Sequence, residues 1–250
     1  ANYGAIVPIL LALIFIFSIS HEIVRAITYL ISSSVATNSK MNLVNLILFS
    51  ALYLGNLLLM YLNATSKINW ELVYLNPFIL VFISVILGVW GFKKKSEIYS
   101  AILPFHPAGA YLYLGLALLT VATLGYAFAT YNTSLIKVFE DAIIYGHLAF
   151  GVSFLAYILV NFLPELQKNI PFYKDLFDSK YIPYYTVAAT GAMVLFVMMA
   201  KVNYQPYRTL QASYYNLLGD VYNIDENRVL AKNYYTRGRH IDSGNLKSTL

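Results

Sequence analysis

Apolar runs of roughly 20 residues, separated by short polar links, organise this chain, and each is long enough as a helix to cross about 30 Å of hydrocarbon. The two that set the pattern lie close together at 108–131 and 142–163. With them, runs at 6–31, 42–63, 77–92 and 183–200 predict an all-α polytopic membrane protein of about six transmembrane helices over 1–201. A more polar juxtamembrane segment and helical hairpin are expected over 202–250.

The first run leads into Ser-Ile-Ser-His-Glu and lacks a basic leading region, so it reads as a membrane helix rather than a signal peptide. Pro8 fits its first turn. Because 6–31 exceeds what a bilayer needs, its second half is expected to tilt strongly or to emerge as an amphipathic extension. Trp70 and Tyr74 mark an interfacial turn before Pro77, and Lys93, Lys94 and Lys95 are expected to end the third helix sharply. Pro107 restricts His106 ahead of the fourth helix, and Pro164 is expected to end the fifth. Between 164 and 183, Phe172, Tyr173, Leu176, Phe177 and Tyr181 alternate with Lys174, Asp175, Asp178 and Lys180, the pattern of a short interfacial helix.

Composition strengthens this reading. Charged residues make up 12% of the chain and mean hydropathy is +0.60, too little charge for a wetted globular surface. The basic residues cluster at the ends of apolar runs, so the net charge of +5 points to membrane borders and not to nucleic acid. Counting alternate links puts seven lysines (40, 93–95, 168, 174 and 180) on one side and three (67, 137 and 201) on the other. The lysine-rich side is expected to be cytoplasmic, which places the C-terminal segment in the periplasm of a bacterial inner membrane.

No cysteine is present, and no phosphate-binding glycine loop, HExxH pair, haem-attachment motif or nucleophile elbow can be found. Polar groups inside the apolar runs are the remaining chemical signal. His21, Glu22 and Arg25 share one helix side at spacings of three and four, which suits an ion pair, a proton, ion or ligand site, or a contact with a partner helix. His21, His106 and His147 are the alternative ligands for a haem b, although their expected depths differ, His147 falling toward the opposite face. No cofactor is expected; a haem- or quinone-associated redox subunit and a transporter subunit are the alternative readings.

In the tail, Tyr215, Leu218, Gly219, Tyr222, Ala231, Tyr235 and Gly238 stand at spacings that combine small residues for close approach with aromatics for the seam beside them. Over 212–245 this pattern resembles the tetratricopeptide repeat of 34 residues. Ser243 stands where that family usually has proline, and only one repeat precedes Leu250. The resemblance implies peptide or protein binding on a concave face made of Ser213, Asn216, Asp220 and Asn223. Since a lone repeat buries its apolar face poorly, other envelope proteins or further repeats are the expected partners, beside the lipid bilayer. The expectation for function is a noncatalytic membrane-anchored scaffold.

Overall fold

The structure, a computed structural model, describes residues 6–33, 39–69, 75–98, 100–101, 104–168, 170, 183–244 and 247. The interfacial turn at Trp70 and Tyr74 and the short helix expected around Phe172–Tyr181 lie outside the described residues. Within them the chain is entirely helical. In order come α1 (Val7–Ile19), α2 (Glu22–Ser33), α3 (Ser39–Ala64), α4 (Pro77–Ile98), α5 (Ala110–Ala129), α6 (Thr133–Lys168), α7 (Tyr185–Lys201), α8 (Gln205–Ile224) and α9 (Arg228–Ile241).

Five stretches are long and apolar enough to cross a membrane: Val7–Ser33, Leu43–Ala64, Pro77–Glu97, Phe105–Ala129 and Thr133–Lys168. Helix α7, at 17 residues, is the sixth apolar helix, and Asn203 and Tyr204, both with left-handed φ, interrupt the helix before α8 begins. Large apolar side chains stand exposed along these helices, including Leu52 (63%), Ile86 (73%), Leu118 (70%) and Met193 (70%), which water would penalise and lipid does not. The protein is an all-α, multi-pass membrane protein followed by further helices outside the membrane.

Four boundaries differ from the sequence expectation, each for a local reason. The first run breaks at Ser20–His21, where the His21 carbonyl accepts from Arg25 N–H at 3.0 Å and starts α2. Glu22 in the first turn of α2 complements the helix dipole. Helix α4 does not stop at Lys93–Lys95 but runs on to Ile98, because cations suit a helix C-terminus and Lys94 pairs with Glu97 at 3.0 Å. Helix α6 begins at Thr133, not near Ala142: Asn132 Oδ1 caps it by accepting from Leu135 N–H at 3.2 Å. It also continues past Pro164 to Lys168, absorbing the missing donor as a kink at Phe162 (φ −121°, ψ 15°).

The chain forms two compact units. One collects 1–16, 112–142 and 199–250; the other collects 17–111 and 143–198. In the first, Phe15 and Tyr113 meet edge to face at 5.2 Å, and Ile9, Ala12, Leu124, Ala127, Leu135, Phe139, Ala212 and Leu218 are buried. In the second, Val24, Ile31, Leu46, Phe154, Tyr157, Ile158, Phe162, Leu166 and Val187 form the core.

Candidate functional site

In the first unit, α8 and α9 fold back on each other through the three-residue turn 225–227. The seam is aromatic: Tyr222 stacks on Tyr234 at 5.3 Å and Tyr215 on Tyr234 at 6.2 Å. Gly219 permits the crossing, since a Cβ there would lie 2.5 Å from the Tyr235 ring. Ala231 and Gly238 are buried on the facing side of α9, and Leu218 is buried on α8. All seven residues singled out for packing therefore belong to one helical hairpin.

The four residues expected to form a concave binding face have other duties. Asn216 is fully buried and donates to Asn132 Oδ1 at 3.0 Å. Ser213, equally buried, donates to the Leu210 carbonyl at 2.7 Å, and its own carbonyl accepts from Asn132 Nδ2 at 3.4 Å. Asp220 accepts from Tyr126 at 2.5 Å, Tyr235 at 2.7 Å and Lys247 at 2.6 Å. Ser134 adds a bond to Asp242 at 3.1 Å. Of the four, Asn223 alone is exposed; Ser213 and Asn216 hold the hairpin to the turn between α5 and α6, and Asp220 holds it to Tyr126 of α5. Burial and the bond to the Asp220 carboxylate push the Tyr235 phenol above its ordinary range.

Asn132 is the residue that the sequence reading missed. It has no exposed surface, caps α6 and bonds both Ser213 and Asn216. An asparagine just ahead of an apolar helical pattern was the available signal, obscured because the polar stretch after it reads as a link.

The second unit holds the intramembrane polar group. Glu22 and Arg25 form the expected ion pair, both 1% exposed. Arg25 also donates to the Leu87 carbonyl at 2.9 Å and lies 4.4 Å over the Trp90 ring. Glu22 Oε1 lies 3.3 Å from both Lys95 Nζ and His21 Nε2. His21 Nε2 is 2.9 Å from Lys95 Nζ and is also hydrogen-bonded to the Tyr184 hydroxyl. An ammonium only donates, so in that contact His21 is the neutral acceptor. Gly91 makes room for the group, because a Cβ there would lie 2.5 Å from the Glu22 carboxylate oxygens.

His147 belongs to the same unit and lies further into its helix than a start near Ala142 would put it. Thr133 starts the helix, so His147 sits fourteen residues in, about four turns, at the level of Ser20 and Ser84. Its Nδ1 is 2.8 Å from the Ile143 carbonyl and 3.4 Å from Ser20 Oγ, and its Nε2 is 2.9 Å from Ser84 Oγ. His106 is exposed at the π turn Phe105–Gly109, with extended backbone (φ −103°, ψ 131°), and packs on Phe105 at 4.6 Å. Both ring nitrogens of His147 and Nε2 of His21 thus already have protein partners. Among the described residues no group of three or more His, Cys, Asp or Glu could hold a metal.

Lys95 and Tyr184 are the members of this cluster that the sequence reading did not group with His21, Glu22 and Arg25. In sequence Lys95 reads as an end-of-helix charge; one more turn of α4 puts Ser84, Gly91 and Lys95 on a common face. Nothing in the local pattern around Tyr184 singles it out. No protein-family model matches this chain, and no curated protein or solved structure matches it either, so the tetratricopeptide resemblance rests on the residues of the hairpin alone.

Proposed function

We propose that this chain is a noncatalytic membrane-anchored scaffold subunit of a bacterial envelope complex, with the α8–α9 hairpin as the part that holds a protein partner. One observation carries the reading. The hairpin is fastened by a buried bond at Asn132 and a part-buried one at Tyr126, while its turn end leaves Ile224 (80%), Val229 (74%) and Leu230 (37%) uncovered beside exposed Asp225, Glu226, Arg228 and Lys232. Rigid attachment behind, with apolar side chains and charges of both signs in front, suits a partner presenting a rim of complementary charges around an apolar centre. Because Ser213, Asn216 and Asp220 face inward, docking falls to Asn223 and the turn end.

A photo-crosslinking side chain at Asn223 or Val229, used in native membranes, tests this. One discrete adduct from both positions, lost on charge reversal of Arg228 and Lys232 in a chain that stays inserted, is the expected result. Adducts to lipid alone, or a protein adduct indifferent to those reversals, would reject it.

The lysine bias supports a cytoplasmic position for Lys93–Lys95 and a periplasmic hairpin. Since the chain has no cysteine, Glu97→Cys and Thr236→Cys, both at exposed positions, can report sidedness. A membrane-impermeant maleimide should label Thr236→Cys in spheroplasts and Glu97→Cys only after permeabilisation; the reverse pattern inverts the assignment.

A further inference from the structure

The buried polar group of the second unit contains more positive than negative charge. Among the described residues Glu22 is the carboxylate within ion-pair distance of both Arg25 and Lys95, so with His21 neutral the formal sum is +1. Arg25 takes the larger share of that carboxylate and adds Leu87 O and the Trp90 face; Lys95 has the longer carboxylate contact of 3.3 Å, with neutral partners in His21 Nε2 at 2.9 Å and the Tyr184 ring at 4.6 Å. An excess cation among apolar helices is costly unless an anion or water meets it.

The cation has somewhere to meet one. Lys95, its side chain 21% exposed, stands in the wall of a cavity of about 190 Å³ that it shares with Ser18, His21 and Tyr184. The rest of the wall is Phe17, Phe150, Val187 and Ala188. Lys95 is the charged donor of the lining, among Ser18, His21 and Tyr184 and four apolar side chains. The volume lies below the roughly 300–1,000 Å³ of sites that enclose a whole small molecule, so only the head of a larger amphiphile would fit. Depth agrees: Lys95 falls in the last turn of α4, beside exposed Lys93 and Lys94, and Tyr184 immediately precedes α7. Ends of membrane helices lie at headgroup level.

We propose that this cavity binds the headgroup of an acidic membrane phospholipid. The phosphate is met by Lys95 Nζ, the glycerol and first acyl carbons lie against Phe17, Phe150, Val187 and Ala188, and the acyl tails remain in the bilayer. Arg25 sits behind Glu22 and neutralises the carboxylate that would otherwise repel the anion. Basic pockets between membrane helices recognise anionic lipids by this chemistry.

The full chain in nanodiscs of phosphatidylcholine and phosphatidylglycerol, examined by native mass spectrometry for retained lipid, tests the proposal. Wild type should retain one phosphatidylglycerol in preference to phosphatidylcholine, and Lys95→Met should lower that preference by roughly fivefold, the effect of one charge at the membrane surface. Lys94→Met, an equal change of charge at an exposed neighbour, should leave it intact. Ala188→Phe keeps every charge and narrows the cavity, so it should also lose the preference, which covers the case of a misfolded Lys95→Met chain. A preference unchanged in Lys95→Met and Ala188→Phe, or lost equally in Lys94→Met, overturns the proposal. So does displacement of the retained lipid by inorganic phosphate alone, which would make the site one for a free anion.

Discussion

Replacing Asn132 by alanine isolates the joint that holds the hairpin. The side chain makes three bonds: its Oδ1 accepts from Leu135 N–H at 3.2 Å and Asn216 Nδ2 at 3.0 Å, and its Nδ2 donates to Ser213 O at 3.4 Å. Loss of the helix cap costs about 1 kcal/mol. The Asn216 amide, with no exposed surface, then loses its Asn132 acceptor, for about 1–3 kcal/mol more. The long bond to Ser213 O contributes little. The sum, about 2–4 kcal/mol, corresponds to a roughly 30- to 800-fold larger opening constant for the hairpin. Hydrogen–deuterium exchange on the nanodisc-embedded chain reads it directly: amides of 209–224 and 228–241 should exchange faster by that factor while those of α3 and α4 do not change. Asn132→Asp keeps both acceptor contacts but turns the donor facing Ser213 O into a buried acceptor, so it should fall between Asn132→Ala and wild type. Equal exchange in all three proteins, or equal damage from Asp and Ala, would refute the view that the Oδ1 atom is the fastening point.

Gly219→Leu should separate α8 from α9, since even its Cβ would lie 2.5 Å from the Tyr235 ring; limited proteolysis at 225–227 should accelerate, and unchanged cleavage would mean that the seam tolerates the side chain. Glu22→Gln leaves Arg25 and Lys95 without their shared carboxylate and should cost about 3–5 kcal/mol; adding Lys95→Met should recover part of the lost thermal stability in detergent, whereas purely additive losses would deny their coupling. Gly91→Ala drives a Cβ to 2.5 Å from the Glu22 carboxylate oxygens and should destabilise by about 1–3 kcal/mol, measured by the same thermal scan; a neutral result would show that the ion pair can shift.

Membrane class, a set of five to six long apolar helices and the hairpin were legible in the chain itself, because hydropathy over about 20 residues and the spacing of small and aromatic residues are local properties. The pairing of Glu22 with Arg25, three residues apart on one helix, was legible for the same reason. Helix ends were less so: the lysines after Phe92, Pro164 and the polar stretch 132–141 all read as stops, but dipole-compatible charge, a tolerated kink and an asparagine cap let α4 and α6 run on. Those extra turns changed the chemistry. They brought Lys95 to Glu22 and His21, and His147 to Ser84, across 73, 74 and 63 residues of sequence. They also set Asn132 where it meets Asn216, 84 residues on. No periodicity encodes such distances. Which face of the hairpin points inward, and which lysine meets a carboxylate instead of water, follow only when the helices pack, because burial makes an unpartnered polar group costly and forces the match.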